Sequence, residues 1–261
     1  MKFSLVLDDE VLIEFEKFKN SLECDKNIIE NLFKYYKPTH LINLKQIQKL
    51  EESNLVIDSD IKSAFLQSGY ANLTLEKLSQ KTTLKIILTN DKNKSFPYLY
   101  IKDEKIENNL CATFKQKESR EKAFEYFKNL FLEANSIFIY DQYLTQENLN
   151  DFIEICSINK NIYLPKYIYS RINPHNEFIE ICSINKNIYL PKYIYSRINP
   201  HNEMIKIDKQ NNRYLGCHDR YILIYYPTYK IELILTSGID YLLDTEKDFT
   251  YIVRVITSST S

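Results

Sequence analysis

The chain has 261 residues and a mass of 31.2 kDa, is 44% hydrophobic and 26% charged, and carries 34 Lys+Arg against 35 Asp+Glu for a net charge of -1. That balance excludes a disordered chain, and near-neutrality excludes a uniformly basic nucleic-acid coat, though not a local basic patch. There is no apolar run of about 18 residues, and Asp8 and Asp9 follow the start too closely for a signal peptide, so a cytoplasmic protein without a membrane span is expected.

Phe3 to Leu7 is a short apolar run with strand character. Glu10 to Leu22 places Val11, Leu12, Phe15 and Phe18 near one helical face. Residues 26 to 36 and 43 to 50 read as helices parted near Pro38, and 59 to 81 as a helix broken near Gly69. Lys85 to Leu88 and Tyr98 to Ile101 read as strands joined by the polar loop Thr89 to Ser95, and Lys102 to Asn109 as a boundary. Residues 1 to 110 are thus expected to form a helix-rich α+β region. Acidic groups at Asp8-Asp9-Glu10 and Glu51-Glu52 fit helix ends and solvated faces better than a metal site.

Residues 117 to 134 have a charged amphipathic pattern, with Phe124, Phe127, Leu130 and Phe131 on one face, and the Lys-rich stretch 113 to 122 reads as solvated helix. Ser136 to Tyr140 (SIFIY) is a buried-type strand. Thr145 is a helix N-cap, followed by Leu149, Phe152, Ile153 and Cys156 at helical spacing. Asn161 to Tyr169 is strand-like, interrupted at Pro165. Strand, helix and strand at this spacing predict a βαβ unit in a parallel or mixed sheet. Met204 to Ile207, Tyr221 to Tyr226, Ile231 to Thr236 and Thr250 to Ile256 read as strands, the middle pair as a hairpin across Pro227-Thr228, with a short helix at Asp240 to Leu243.

An exact repeat interrupts this region. Residues 152 to 177 read FIEICSINKNIYLPKYIYSRINPHNE, and residues 178 to 203 repeat them letter for letter. A solenoid would show drift and at least three units. Two perfect copies indicate a recent in-frame duplication or an assembly artefact, with a retained functional insertion as the alternative. The second copy is expected to add an αβ element or a surface excursion: a short helix through Phe178, Ile179 and Cys182, then a strand from Asn187 to Tyr195. One copy must pack worse than the other. Asn173-Pro174 reads as a helix start, which weakens a metal reading of Pro174-His175-Asn176-Glu177. The five cysteines form no CxxC pair, so free thiols are expected, with no metal and no cofactor.

The chain has 21 Tyr, 14 Phe and no Trp, an AT-rich codon bias that leaves only three glycines. Two of these lie close together, Gly216 in YLGCHDRY and Gly238 in TSGID. His218 and Arg220, two apart on a strand, share a face, and the hairpin brings Ser237-Gly238 near them. A His, an Arg, a hydroxyl and glycine amides converging on one spot suit a phosphate group.

His-Asp-Arg before an apolar strand, then a second strand and Ser-Gly-Ile-Asp-Tyr-Leu, resembles the phospholipase D-like superfamily. More closely, it is similar to the phospholipase D-like domain at the C-terminus of MIT-domain proteins and in bacterial relatives. Tyr140-Asp141-Gln142-Tyr143 fits the turn that opens that domain, and the likeness covers about residues 117 to 261. The resemblance implies a mixed-sheet α/β domain and a bacterial source, in a defence or mobile-element setting. Its chemistry needs His-x-Lys-x4-Asp, usually twice. One His attacks phosphorus, the other protonates the leaving oxygen, Lys neutralises charge and Asp orients a ring. Here Arg220 stands for Lys and Tyr225 for Asp. The other histidines, His40, His175 and His201, are followed two on by Ile42, Glu177 and Glu203.

Three readings are therefore open. His218 could be a strand histidine beside an Asp219–Arg220 ion pair. The leading reading is a non-catalytic module that recognises a phosphate-bearing ligand, nucleic acid or lipid headgroup, through His218, Arg220, Ser237, Gly238, Asp240, Asp141 and Tyr143. The rival is a metal-independent phosphodiesterase or nuclease, acting as a homodimer with His218 as nucleophile and Arg220 as phosphate clamp.

Overall fold

The computed structural model describes residues 3–35, 39–55, 62–63, 69–103, 111–172, 204–208 and 219–257. His218, Gly216, His175, His201, Asn173-Pro174 and the second repeat copy lie outside these residues. The chain divides into two compact units, 1–110 and 111–261.

In the first unit, the apolar run Leu5–Leu7 is fully buried as strand β1. Asp8 caps α1 (Asp9–Lys19), its carboxylate accepting the Val11 amide at 3.0 Å. Then follow α2 (Lys26–Tyr35), β2 (His40–Leu41), α3 (Leu44–Glu52), α4 (Leu75–Ser79), β3 (Ile87–Thr89) and β4 (Tyr98–Tyr100). The sheet has the order β2-β1-β3-β4, and all its pairings are parallel. The expected long helix over 59 to 81 is reduced, at its C-terminal end, to α4. Residues 69–74 are not helical: Gly69 takes φ +74, and Thr74 re-caps the chain.

The second unit is built on a seven-stranded mixed sheet, giving the α/β fold anticipated from the alternating pattern. Its elements are β5 (Ala112–Phe114), α5 (Glu121–Leu132), β6 (Ser136–Tyr140), α6 (Gln146–Ile155), β7 (Asn161–Pro165), α7 (Lys166–Ile172), β8 (Ile205–Asp208), β9 (Arg220–Tyr225), β10 (Tyr229–Leu235), α8 (Ile239–Leu243) and β11 (Phe249–Thr257). The order is β5-β11-β10-β9-β6-β7-β8. β6, β7 and β8 run parallel; the pairs from β6 through β9, β10 and β11 to β5 are antiparallel.

Strand β6 is buried along nearly its whole length, which is why it reads as a continuous apolar run. Ile137 and Ile139 face the core that α5 and α6 fill with Phe127, Phe131, Leu149 and Phe152. Phe131 and Phe152 meet edge-on at 5.9 Å, and Tyr251 of β11 meets Phe127 edge-on at 5.0 Å. On the other face, Phe138, Tyr140 and Leu223 cluster with half-buried Tyr163, Tyr221 and Tyr225.

Two local expectations change. Residues 113–122 are not one helix. Tertiary bonds impose a turn: Lys117 has φ +65, the Gln116 amide donates to Asp248, and Arg120 donates to the carbonyls of Lys115 and Lys247. The strand from Asn161 stops at Pro165, which has no N–H for the ladder. The chain then turns helical as α7, burying Ile168 and Ile172 on one face.

Candidate functional site

Three strand ends build the site. Tyr140 at the carboxyl end of β6 pairs with Tyr221, and Arg220, one residue earlier in β9, pairs with Leu235 at the end of β10. Register alone therefore sets Asp141, Arg220 and the Thr236-Ser237-Gly238 turn along one edge of the sheet. This is the hairpin geometry the sequence suggested.

Asp141 is 1% exposed. Its Oδ1 accepts the Tyr143 amide at 2.9 Å, and its Oδ2 accepts the buried Ile239 amide at 2.8 Å. Arg220 Nε stands 3.9 Å from Asp141 Oδ1, with side-chain exposures of 19% and 2%. The guanidinium lies over the Tyr143 ring, Cζ to centroid 4.8 Å. The carboxylate beside Arg220 is thus that of Asp141 on the neighbouring strand, rather than that of its exposed sequence neighbour Asp219.

Gly238 is where a side chain cannot fit. An added Cβ would sit 2.9 Å from Asp141 Oδ2 and 2.3 Å from Asp240 Oδ1. Its φ of -70 is ordinary, so the demand is for space rather than for backbone freedom. Asp240, at the start of α8, pairs with Lys247 at 3.5 Å. Ser237 is half-buried in the same turn. The Ile239 amide, next to the Gly238 amide that the sequence offered to a phosphate, is taken by the chain's own Asp141. We expect Gly238→Ala to cost about 1–3 kcal/mol as overpacking. Gly238→Ala/Asp240→Ala should recover only the Asp240 part, since Asp141 is pinned. Urea unfolding of both variants measures this.

Sequence reading overlooked Arg171 and Tyr167. Arg171 donates to the carbonyls of Gln142 and Leu144, so it holds the turn that carries Asp141 and Tyr143. Tyr167 is hydrogen-bonded with Tyr140, and burial pushes its phenol above its ordinary pKa. Scarcity was the available signal. The chain has only six Arg, none before residue 111, so each is a departure from the Lys habit.

Other groups are structural. Asp8 also accepts the Thr89 hydroxyl and lies 3.3 Å from Lys94 Nζ, so its carboxylate is fully engaged. Cys24, Cys111 and Cys156 form no disulfide, and burial raises the Cys156 thiol pKa. Among the described residues, no group of three or more His, Cys, Asp or Glu could hold a metal ion, and no helix is long and apolar enough to cross a membrane. A cavity of about 400 Å³ in the first unit is lined by Asp9, Lys45, Lys49, Asn72 and Glu76 among others, and by none of the expected site residues. No protein-family model matches this chain, and no curated protein matches it in sequence.

Proposed function

We propose that the second unit is a non-catalytic module that recognises a phosphate-bearing ligand through a degenerate phospholipase D-like site. The observation that carries this reading is the setting of Arg220. Its guanidinium is held between the Tyr143 ring and the Asp141 carboxylate, at the edge where β6 and β10 end and β9 begins. Stacking and one ion pair fix the plane of the guanidinium. A guanidinium held in a fixed plane presents a planar fork, and a planar fork suits phosphate oxygens. Asp141 acts as the brace of this arginine rather than as an acid or base. Arg220→Lys keeps the charge and loses the fork.

The test is anisotropy with labelled single-stranded DNA, duplex DNA and RNA, plus sedimentation with phosphatidic-acid vesicles, all in EDTA. A ligand held by Arg220 should bind about 10- to 100-fold more weakly to Arg220→Gln, the loss of charge-assisted hydrogen bonds. Equal binding by a well-folded Arg220→Gln protein would sink the reading. Cleavage of bis-p-nitrophenyl phosphate or nucleic acid, lost in His218→Ala, would replace it with the homodimeric phosphodiesterase.

A further inference from the structure

β7 and α7 fill one place in the sheet. β7 lies between β6 and β8, its Ile162 and Leu164 fully buried, and α7 buries Ile168 and bonds the Asp141 turn through Arg171. All of these contacts come from residues 161–172. Residues 187–198 carry the same twelve side chains in the same order. The chain therefore contains two complete occupants for one place.

We propose that the two repeat copies compete, within one molecule, for the β7–α7 place. In the alternative seating Ile188, Leu190, Ile194 and Arg197 stand where Ile162, Leu164, Ile168 and Arg171 stand in the structure. Contacts cannot choose between seatings, because they are identical. Connections barely can. With the first copy seated, 5 residues join α6 to β7 and 32 join α7 to β8; with the second, the lengths become 31 and 6. Loop-closure cost grows only with the logarithm of length, so the two arrangements nearly balance.

The rest of the unit does not need to change. Thr145 and Leu149, which cap and anchor α6, precede the repeat, and β8 follows it. The pairing of β6 with β9 involves neither copy, so the Asp141–Arg220 edge is built in both seatings. The proposal is independent of the phosphate reading.

Ile162→Asp and Ile188→Asp test it in the full chain, singly and together, read by hydrogen exchange at the β6 and β9 amides. Removing one of two balanced states costs about twofold in the folding equilibrium, so each single variant should stay protected. The double variant should lose that protection. So should Ile162→Asp in a chain lacking residues 178–203, which has a single occupant. If either single variant loses protection as fully as the double, one copy is the sole occupant and the proposal fails. Protection that persists in the double variant would overturn it as well.

Discussion

Asp141→Ala is expected to cost the second unit about 3–5 kcal/mol, the scale for removing one partner of a buried charged network. Its carboxylate satisfies the Tyr143 and Ile239 amides and faces Arg220, and it is almost wholly buried. Alanine would leave two amides without that acceptor and take the Asp141 carboxylate away from the guanidinium. Asp141→Asn should recover only part, because one oxygen cannot accept both amides and the new NH2 group confronts one of them. Urea unfolding followed by near-ultraviolet tyrosine dichroism checks this, since the chain has 21 Tyr and no Trp. A loss below about 1 kcal/mol would mean that Asp141 is not the clamp between β6 and α8.

The first unit should weaken in mild acid. His40, next to Phe15 with ring centroids 5.6 Å apart, has its pKa lowered from 6.5 to about 4, chiefly by burial and secondarily by the positive charge of Lys19. The folded state therefore holds the neutral ring, while the unfolded chain takes up a proton first as pH falls. The stabilisation is complete above the unfolded value of 6.5, declines between there and about 4, and is flat below. Its span is ~3 kcal/mol. Hydrogen exchange at the β1 and β2 amides, corrected for intrinsic rates from pH 7 to pH 4.5, should show this decline. His40→Phe should flatten it. An unchanged slope in that variant would show that other groups carry the acid sensitivity.

Periodicity exposed the elements whose stability is local. SIFIY, the Thr145 cap with its helix and the YILIYY–IELILT hairpin were all legible, because burial pattern and capping chemistry agree there. It failed where distant partners decide. The turn at Lys117 exists because Asp248 and Lys247 reach back to it across more than a hundred residues. The two-residue strand β2 has no pattern of its own and is created by pairing with β1. At the site, residue types were readable, and strand register was implied by the hairpin. Which acid meets Arg220 was not, since sequence proximity favours Asp219 while the sheet delivers Asp141. Nor could sequence show that the Ile239 amide is spent on an internal carboxylate.

The sheet order separates two things that the chain interleaves. The duplicated stretch falls between β6 and β9 along the sequence, yet β6 and β9 are direct neighbours in space and the repeat's strand lies on the far side of β6. Exchange between the two identical stretches adds or removes 26 residues without altering the Tyr140–Tyr221 pairing. The fold thus places the repeat where a change of 26 residues in chain length leaves the β6–β9 register as it is.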